Sequence, residues 1–110
     1  MDEGVLGLAY SENNVPIRLT YERWTHIVES HDYMVGVYEW VLETITDPDV
    51  IVEGWGGSLV ATRHYQQTPI SEKDLIVVYR ELGPQDGFVI TAFMTSRAEK
   101  LLGRGIIWQR

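Results

Sequence analysis

Between residues 21 and 31, Tyr21, Trp24, Ile27, Val28 and His31 recur at helical spacing and share one face, while Arg23, His26 and Ser30 fall on the other. Thr20, just ahead, suits a helix N-cap, and Glu22 suits the positive end of the helix dipole. A second helix is predicted over about residues 33–46, with Asp32 as its cap. There Met34, Val37, Tyr38, Val41, Leu42 and Ile45 form one apolar stripe, with Gly36, Glu39 and Glu43 lying off it. Asp47-Pro48 ends the helix, because the residue before proline avoids helical backbone. The period then changes. Residues 50–55, 58–67, 73–82 and 88–95 read as four strands, separated by Gly56-Gly57, a polar loop, and the Gly83-Pro84 and Asp86-Gly87 turn. Residues 97–102 read as a helical turn and 105–108 as a short edge strand. Ahead of the first helix, residues 5–10 read as a short strand or extended arm and residues 17–19 as a second short strand.

This order predicts an α+β fold, with two N-terminal helices packed on one face of a four- to five-stranded antiparallel sheet and the other face free. Trp24, Ile27, Tyr38, Val41, Leu42 and Ile45 are expected in the core. At 110 residues the chain fits one domain, with residues 1–16 as an arm or short strand and 17–108 as the body.

Composition narrows the function classes. There is no cysteine, so disulfides and thiolate metal sites are excluded. No apolar run approaches the ~20 residues of a membrane span. The acidic start, Met1-Asp2-Glu3-Gly4, lacks the basic region of a secretory signal, and a cytoplasmic location is expected. The net charge of −7 opposes a polyanion, but it is unevenly spread. Residues 1–55 hold eleven acids and two bases; residues 56–110 hold five acids and seven bases. The second half suits RNA, and the acidic helical half suits a protein partner or a second copy of the chain.

Candidate chemistry is sparse. His26 and His31 are five residues apart, the wrong spacing for two metal ligands on one helix face, so neither metal nor cofactor is expected. His26 faces solvent as a candidate acid or base, or as an ordinary surface histidine. His31 continues the apolar face and suits a helix C-terminus. On the second strand of the meander, alternation puts Arg63 and Tyr65 on one face and His64 on the other. Arg63 can fork two phosphate oxygens, or pair with a helix glutamate; Tyr65 can stack on an unpaired base. Tyr79 and Arg80 repeat an aromatic–basic pair, and Thr91 and Arg97 place a hydroxyl and a cation toward the end of the fourth strand.

The stretch Ile17-Arg18-Leu19-Thr20-Tyr21-Glu22-Arg23-Trp24-Thr25-His26-Ile27, followed by His31, Pro48-Asp49-Val50-Ile51, Arg63 and Val89-Ile90-Thr91-Ala92-Phe93, resembles the barnase–EndoU–colicin–RelE nuclease superfamily, including its RelE-like and BrnT-like toxin branches. The resemblance spans about residues 17–108. It implies a metal-independent endoribonuclease, a toxin or mobile-element nuclease, which cleaves single-stranded RNA by 2′-hydroxyl attack and leaves a 2′,3′-cyclic phosphate. Catalytic roles would fall to His26, His31, Arg63 and Thr91, and substrate contacts to Arg23, Tyr65, Tyr79 and Arg97. Either histidine can serve as the acid or the base. A protein partner, as an antitoxin or inhibitor, would engage the acidic half. The competing expectation is a non-catalytic protein-interaction module on the same fold.

Overall fold

The computed structural model describes residues 4–110. Strands β1 (Val5–Tyr10) and β2 (Pro16–Thr20) form a hairpin and lead into helix α1 (Tyr21–Ser30). A single 3-10 turn (Asp32–Met34) precedes helix α2 (Tyr38–Thr46). Strands β3 (Val50–Glu53), β4 (Leu59–Tyr65), β5 (Lys73–Gly83) and β6 (Asp86–Thr95) form the expected antiparallel meander. A 3-10 segment (Ala98–Arg104) and strand β7 (Ile106–Gln109) follow. Among the described residues no helix is long and apolar enough to cross a membrane.

The α+β class holds, but the sheet is larger than expected and mixed. Among the described residues it has seven strands, in the order β1-β2-β6-β5-β4-β3-β7. Of the segment 1–16, residues 1–3 lie outside the described residues and residues 5–10 take the strand alternative; β1 and β2 belong to the sheet, and β2 runs parallel to β6 through Ile17↔Gly87 and Arg18↔Phe88. Gly87 permits that junction. A Cβ there would lie 2.5 Å from Ile17 Cδ1 and 2.7 Å from the Arg80 carbonyl oxygen, and the latter is backbone that cannot step aside.

Helix α1 begins where expected. Thr20 is its N-cap, with Oγ1 accepting the Arg23 N–H at 3.0 Å. Helix α2 begins about five residues later than the stripe suggested. Gly36 adopts a left-handed φ of 85° after the 3-10 turn, and the helix starts from Val37 without a side-chain cap. Asp32 therefore starts the short turn, not α2.

Of the six residues expected in the core, Ile27, Val41 and Ile45 are buried, whereas Trp24, Tyr38 and Leu42 are half-buried at its margin. These helical residues pack with Ile17, Leu19, Ile51, Ala61, Leu75, Val77, Tyr79, Val89, Ala92 and Met94 on the sheet's inner face.

The outer face is not free. Val52, Val60 and Ile76 make a second, smaller core there, with Ala98 and Leu101 of the 3-10 segment among its cover. The β1-β2 side of the outer face lies beyond this cover, with Leu8 and Tyr10 exposed.

Ile45→Ala should lower unfolding free energy by ~2–5 kcal/mol through lost burial plus a cavity, and Leu42→Ala by less, as read by urea denaturation. Gly87→Ala should cost ~1–3 kcal/mol by overpacking, whereas Gly83→Ala, with open space around it, should be milder.

Candidate functional site

Arg63 lies on β4 opposite Leu75, so it points to the inner face, as alternation requires. Its guanidinium is committed to the end of α2. Nη1 donates to the Asp47 carbonyl at 2.6 Å and to Asp47 Oδ2 at 3.0 Å, and Nε lies 3.6 Å from Glu43 Oε1. The pairing with a helix glutamate is thus realised. Carbonyls at a helix C-terminus lack intrahelical donors, and a guanidinium there satisfies one while complementing the dipole.

Arg110 adds a second guanidinium. It donates to Asp47 Oδ1 at 2.5 Å and to the Pro48 carbonyl at 3.2 Å. That Arg110 hydrogen bond, with the charges of Arg110 and Arg63 outweighing burial, holds the Asp47 carboxyl below its ordinary range. Tyr65 completes the clamp. Its ring stacks on Trp40 at 4.7 Å with planes 8° apart, and its hydroxyl donates to Glu43 Oε1 at 2.5 Å. The Arg63 guanidinium sits 5.6 Å from the same ring. Burial, then the hydrogen bond to Glu43, push the Tyr65 phenol well up. A ring stacked on Trp40 offers little face to a nucleobase.

The other expected site residues scatter. His26 stands exposed on α1, its Nδ1 3.7 Å from Glu29 Oε1. His31 is the C-cap of α1. Its ring lies 5.9 Å from that of Phe93, and its Nδ1 lies 3.2 Å from the Tyr33 hydroxyl, which accepts the Met94 N–H at 3.2 Å. His31 and Tyr33 thereby close the rim of β6 beyond Phe88, where β2 no longer pairs with it.

Thr91 pairs with Val78, and Val78 with Val60, so it belongs to the outer face, across the sheet from Arg63. Tyr79 is 1% exposed in the inner core, and burial raises its phenol. It cannot contact substrate, and alternation leaves only Arg80 of that pair facing outward. Arg23 is half-buried, contributing its backbone N–H to the Thr20 cap. Arg97 is exposed, its N–H donating to Thr95 Oγ1. Among the described residues, no hydrogen bond or ion pair joins any two of His26, His31, Arg63 and Thr91. Of the expected set, only Arg63 and Tyr65 meet.

Three groupings escaped sequence reading. The first crosses the outer face. Leu8, Arg18, Phe88 and Arg80 are successive cross-strand partners on β1, β2, β6 and β5. Arg18 pairs with Asp86 and lies 5.8 Å from the Phe88 ring centroid. Arg80 donates to the Gly56 carbonyl, and Arg104 lies 3.5 Å from the centroid of Trp55, which is 70% exposed. A cleft of about 410 Å³ opens in this region, between Val5, Leu8, Arg18 and Asp86.

The second grouping is on the helical side. A cleft of about 260 Å³ lies between α1 and the following turn, lined by Trp24, Thr25, Val28, Glu29, Val35 and Gly36.

The third is His64. Its Nε2 meets Glu72 at 2.7 Å, its Nδ1 meets Asp74 at 3.0 Å, and its N–H donates to Asp49 Oδ2 at 2.7 Å. The Glu72 hydrogen bond, then that to Asp74, raise the imidazole's pKa. The carboxylates take opposite ring nitrogens, an ion-paired arrangement and not a metal cage. Alternation placed His64 on the face opposite Arg63, but Glu72 and Asp49 lie outside the strands, where no periodicity marks them.

Comparison of the chain with protein-family models, curated proteins and solved structures gives no match in any of the three.

Arg63→Ala should lower the thermal unfolding midpoint, marking a structural residue. Asp47→Asn should also lose stability, mainly through the lost pairing with Arg110, and its deficit should be full above about pH 4 and vanish as pH falls through the lowered Asp47 pKa. The deficit of Glu72→Gln should run the other way, full below about pH 6.5 and lost as pH rises through the raised His64 pKa. Unfolding curves across pH check both signs.

Proposed function

We propose that the chain is a non-catalytic protein-interaction module whose helical side receives a basic, amphipathic segment of another protein. The carrying observation is the cleft beside α1. Its floor is apolar, from Trp24, Val28 and Val35, with Val35 62% exposed, and Glu29 forms part of its wall. Between residues 22 and 39 the chain carries Glu22, Glu29, Asp32 and Glu39, all exposed, against one arginine, Arg23. An apolar slot rimmed by acids is complementary to a helix with apolar side chains on one face and lysine or arginine beside them. The commitment of Arg63 to Asp47 and Glu43 supports this reading, since a cation spent on a helix end is not available to stabilise a phosphorane.

Titration calorimetry with a Leu/Lys amphipathic peptide of about 14 residues tests the reading. The expected result is saturable binding that weakens with salt, is at least about tenfold tighter than that of a scrambled peptide of equal charge, and is lost in Val28→Ser/Val35→Ser. Equal binding of both peptides would reduce it to charge attraction and overturn it.

A second reading, single-stranded RNA binding and cleavage, is favoured by the outer-face row. Arg18, Arg80 and Arg104 interleave there with Phe88 and Trp55, an alternation of cations and stacking rings suited to an unpaired strand. Labelled RNA incubated in EDTA separates the two. The interaction module leaves it intact. Cleavage to a 2′,3′-cyclic phosphate that is lost in Arg80→Ala would favour the nuclease instead.

A further inference from the structure

We infer that two copies of this chain pair through β1, edge to edge and antiparallel, into one continuous sheet with its two-fold axis at Ala9. The strand order leaves β1 at one end of the sheet, and among the described residues no strand lies beyond it. The hairpin identifies which of its backbone groups are unspent. Ser11 N–H donates to the Val15 carbonyl, and the register continues through Tyr10↔Pro16, Ala9↔Ile17, Leu8↔Arg18 and Gly7↔Leu19. Antiparallel pairs alternate between hydrogen-bonded and non-bonded. Ser11, Ala9 and Gly7 are therefore the bonded positions, consistent with Pro16, which has no N–H, standing at a non-bonded one. Leu8 and Tyr10 turn their N–H and C=O groups outward, to the rim.

The same two residues carry the exposed side chains. Leu8 and Tyr10 are each 51% exposed on the outer face, whereas Ala9 is buried on the inner one. With the axis at Ala9, Leu8 of one copy stands opposite Tyr10 of the other, twice. Each such pair exchanges two backbone hydrogen bonds, four in all, and sets an aromatic ring against an aliphatic side chain, a favourable cross-strand pairing. Tyr10 of the second copy then lies beside Leu8, at the wall of the outer-face cleft that Val5 and Arg18 also line.

Edge strands are normally guarded by charge, proline, brevity or a cover. The far edge obeys this: β7 is four residues long and lies between Arg104 and Arg110, the latter tied to Asp47 and Asp49. In contrast, β1 has six residues and no charge or proline among Val5-Leu6-Gly7-Leu8-Ala9-Tyr10. Its bulge, between Val5 and Gly7, lies outside the pairing segment. Among the described residues the nearest acid, Glu12, would fall opposite Leu6 of the other copy, so no two of those acids meet across the junction. Each copy still carries a net charge of −7, and a two-fold axis perpendicular to the sheet puts both acidic helical layers on the same side. Screening that repulsion should tighten the dimer, whereas salt weakens attraction to a basic peptide or to RNA.

Sedimentation equilibrium from about 1 to about 500 µM protein tests the inference. The expected outcome is a monomer–dimer equilibrium whose dissociation constant falls several-fold between about 50 and about 500 mM NaCl. Leu8→Lys/Tyr10→Lys should give a monomer with an unchanged circular dichroism spectrum, and Ile107→Lys on the other edge should still dimerise. Hydrogen exchange supplies a readout specific to the register. The Leu8 and Tyr10 amides should gain protection as concentration rises, while those of Gly7 and Ala9 are protected throughout. A chain monomeric under all these conditions, a dimer lost only in Ile107→Lys, or a dimer in which the Leu8 and Tyr10 amides exchange freely would overturn it.

Discussion

The short parallel junction between β2 and β6 is the constraint on which this architecture turns. It comprises two register partners, Ile17↔Gly87 and Arg18↔Phe88, about seventy residues apart along the chain. It joins the N-terminal hairpin to the C-terminal meander and makes one sheet of what would otherwise be two. Parallel pairing over such a separation costs loop-closure entropy, so it needs local reinforcement. That reinforcement is the fit of Ile17 against Gly87, the ion pair of Arg18 with Asp86 and the placement of the Arg18 guanidinium by the Phe88 ring. The shortness of the junction has a second effect. Because β2 leaves β6 after Phe88, the upper rim of β6 is open, and α1 with His31 and Tyr33 closes it.

Much of the local structure was legible because it is encoded locally. Thr20 reads as a cap and is one; the meander after Pro48 reads as strands at period two; and alternation along β4 correctly separates Arg63 and Tyr65 from His64. Even the pairing of Arg63 with a helix glutamate was available, since an acid-rich helix preceding a strand arginine offers it a partner. Three elements resisted. The start of α2 was hidden because Met34 and Val37 fit its stripe, although Gly36 in a left-handed conformation breaks the helix between them. The parallel junction leaves no periodic trace. The phase of β6 was the third: Val89 and Ala92 both face inward although three residues apart, because the ladder slips between Val78 and Tyr79. That slip sends Thr91 to the outer face and dissolves the site in which Arg63 and Thr91 were to meet.

Charged and aromatic groups on the inner side mostly hold helices to strands. Arg63, Tyr65, Trp40, Glu43 and Asp47 form one stack that fixes the end of α2 over β4, and His31 with Tyr33 fixes the end of α1 at β6. Residue types that suggested catalysis are here spent on orientation. Among the described residues, the cleft beside α1, the row across the outer face and the edge of β1 stay open, all on other parts of the molecule. Such a division suits the proposed recognition role, because contact surfaces can vary while the clamps that set the fold stay fixed.

The cover over the outer core has one further implication. The segment Ala98–Arg104 shields Val52, Val60 and Ile76 with Ala98 and Leu101, and near its end Arg104 both rests on Trp55 and donates to the Glu53 carbonyl at 3.0 Å. The cover is short and held mainly at its ends, by the Arg97 N–H on Thr95 Oγ1 and by the Gly105 carbonyl accepting the Glu53 N–H, and small units of this kind open before a larger core does. Lifting would bare the aliphatic strip of β3, β4 and β5 in an otherwise native molecule, a species prone to sticking to its own kind. The pair Trp55–Arg104 stands at the end of that cover, so lifting it would take the guanidinium off the indole face.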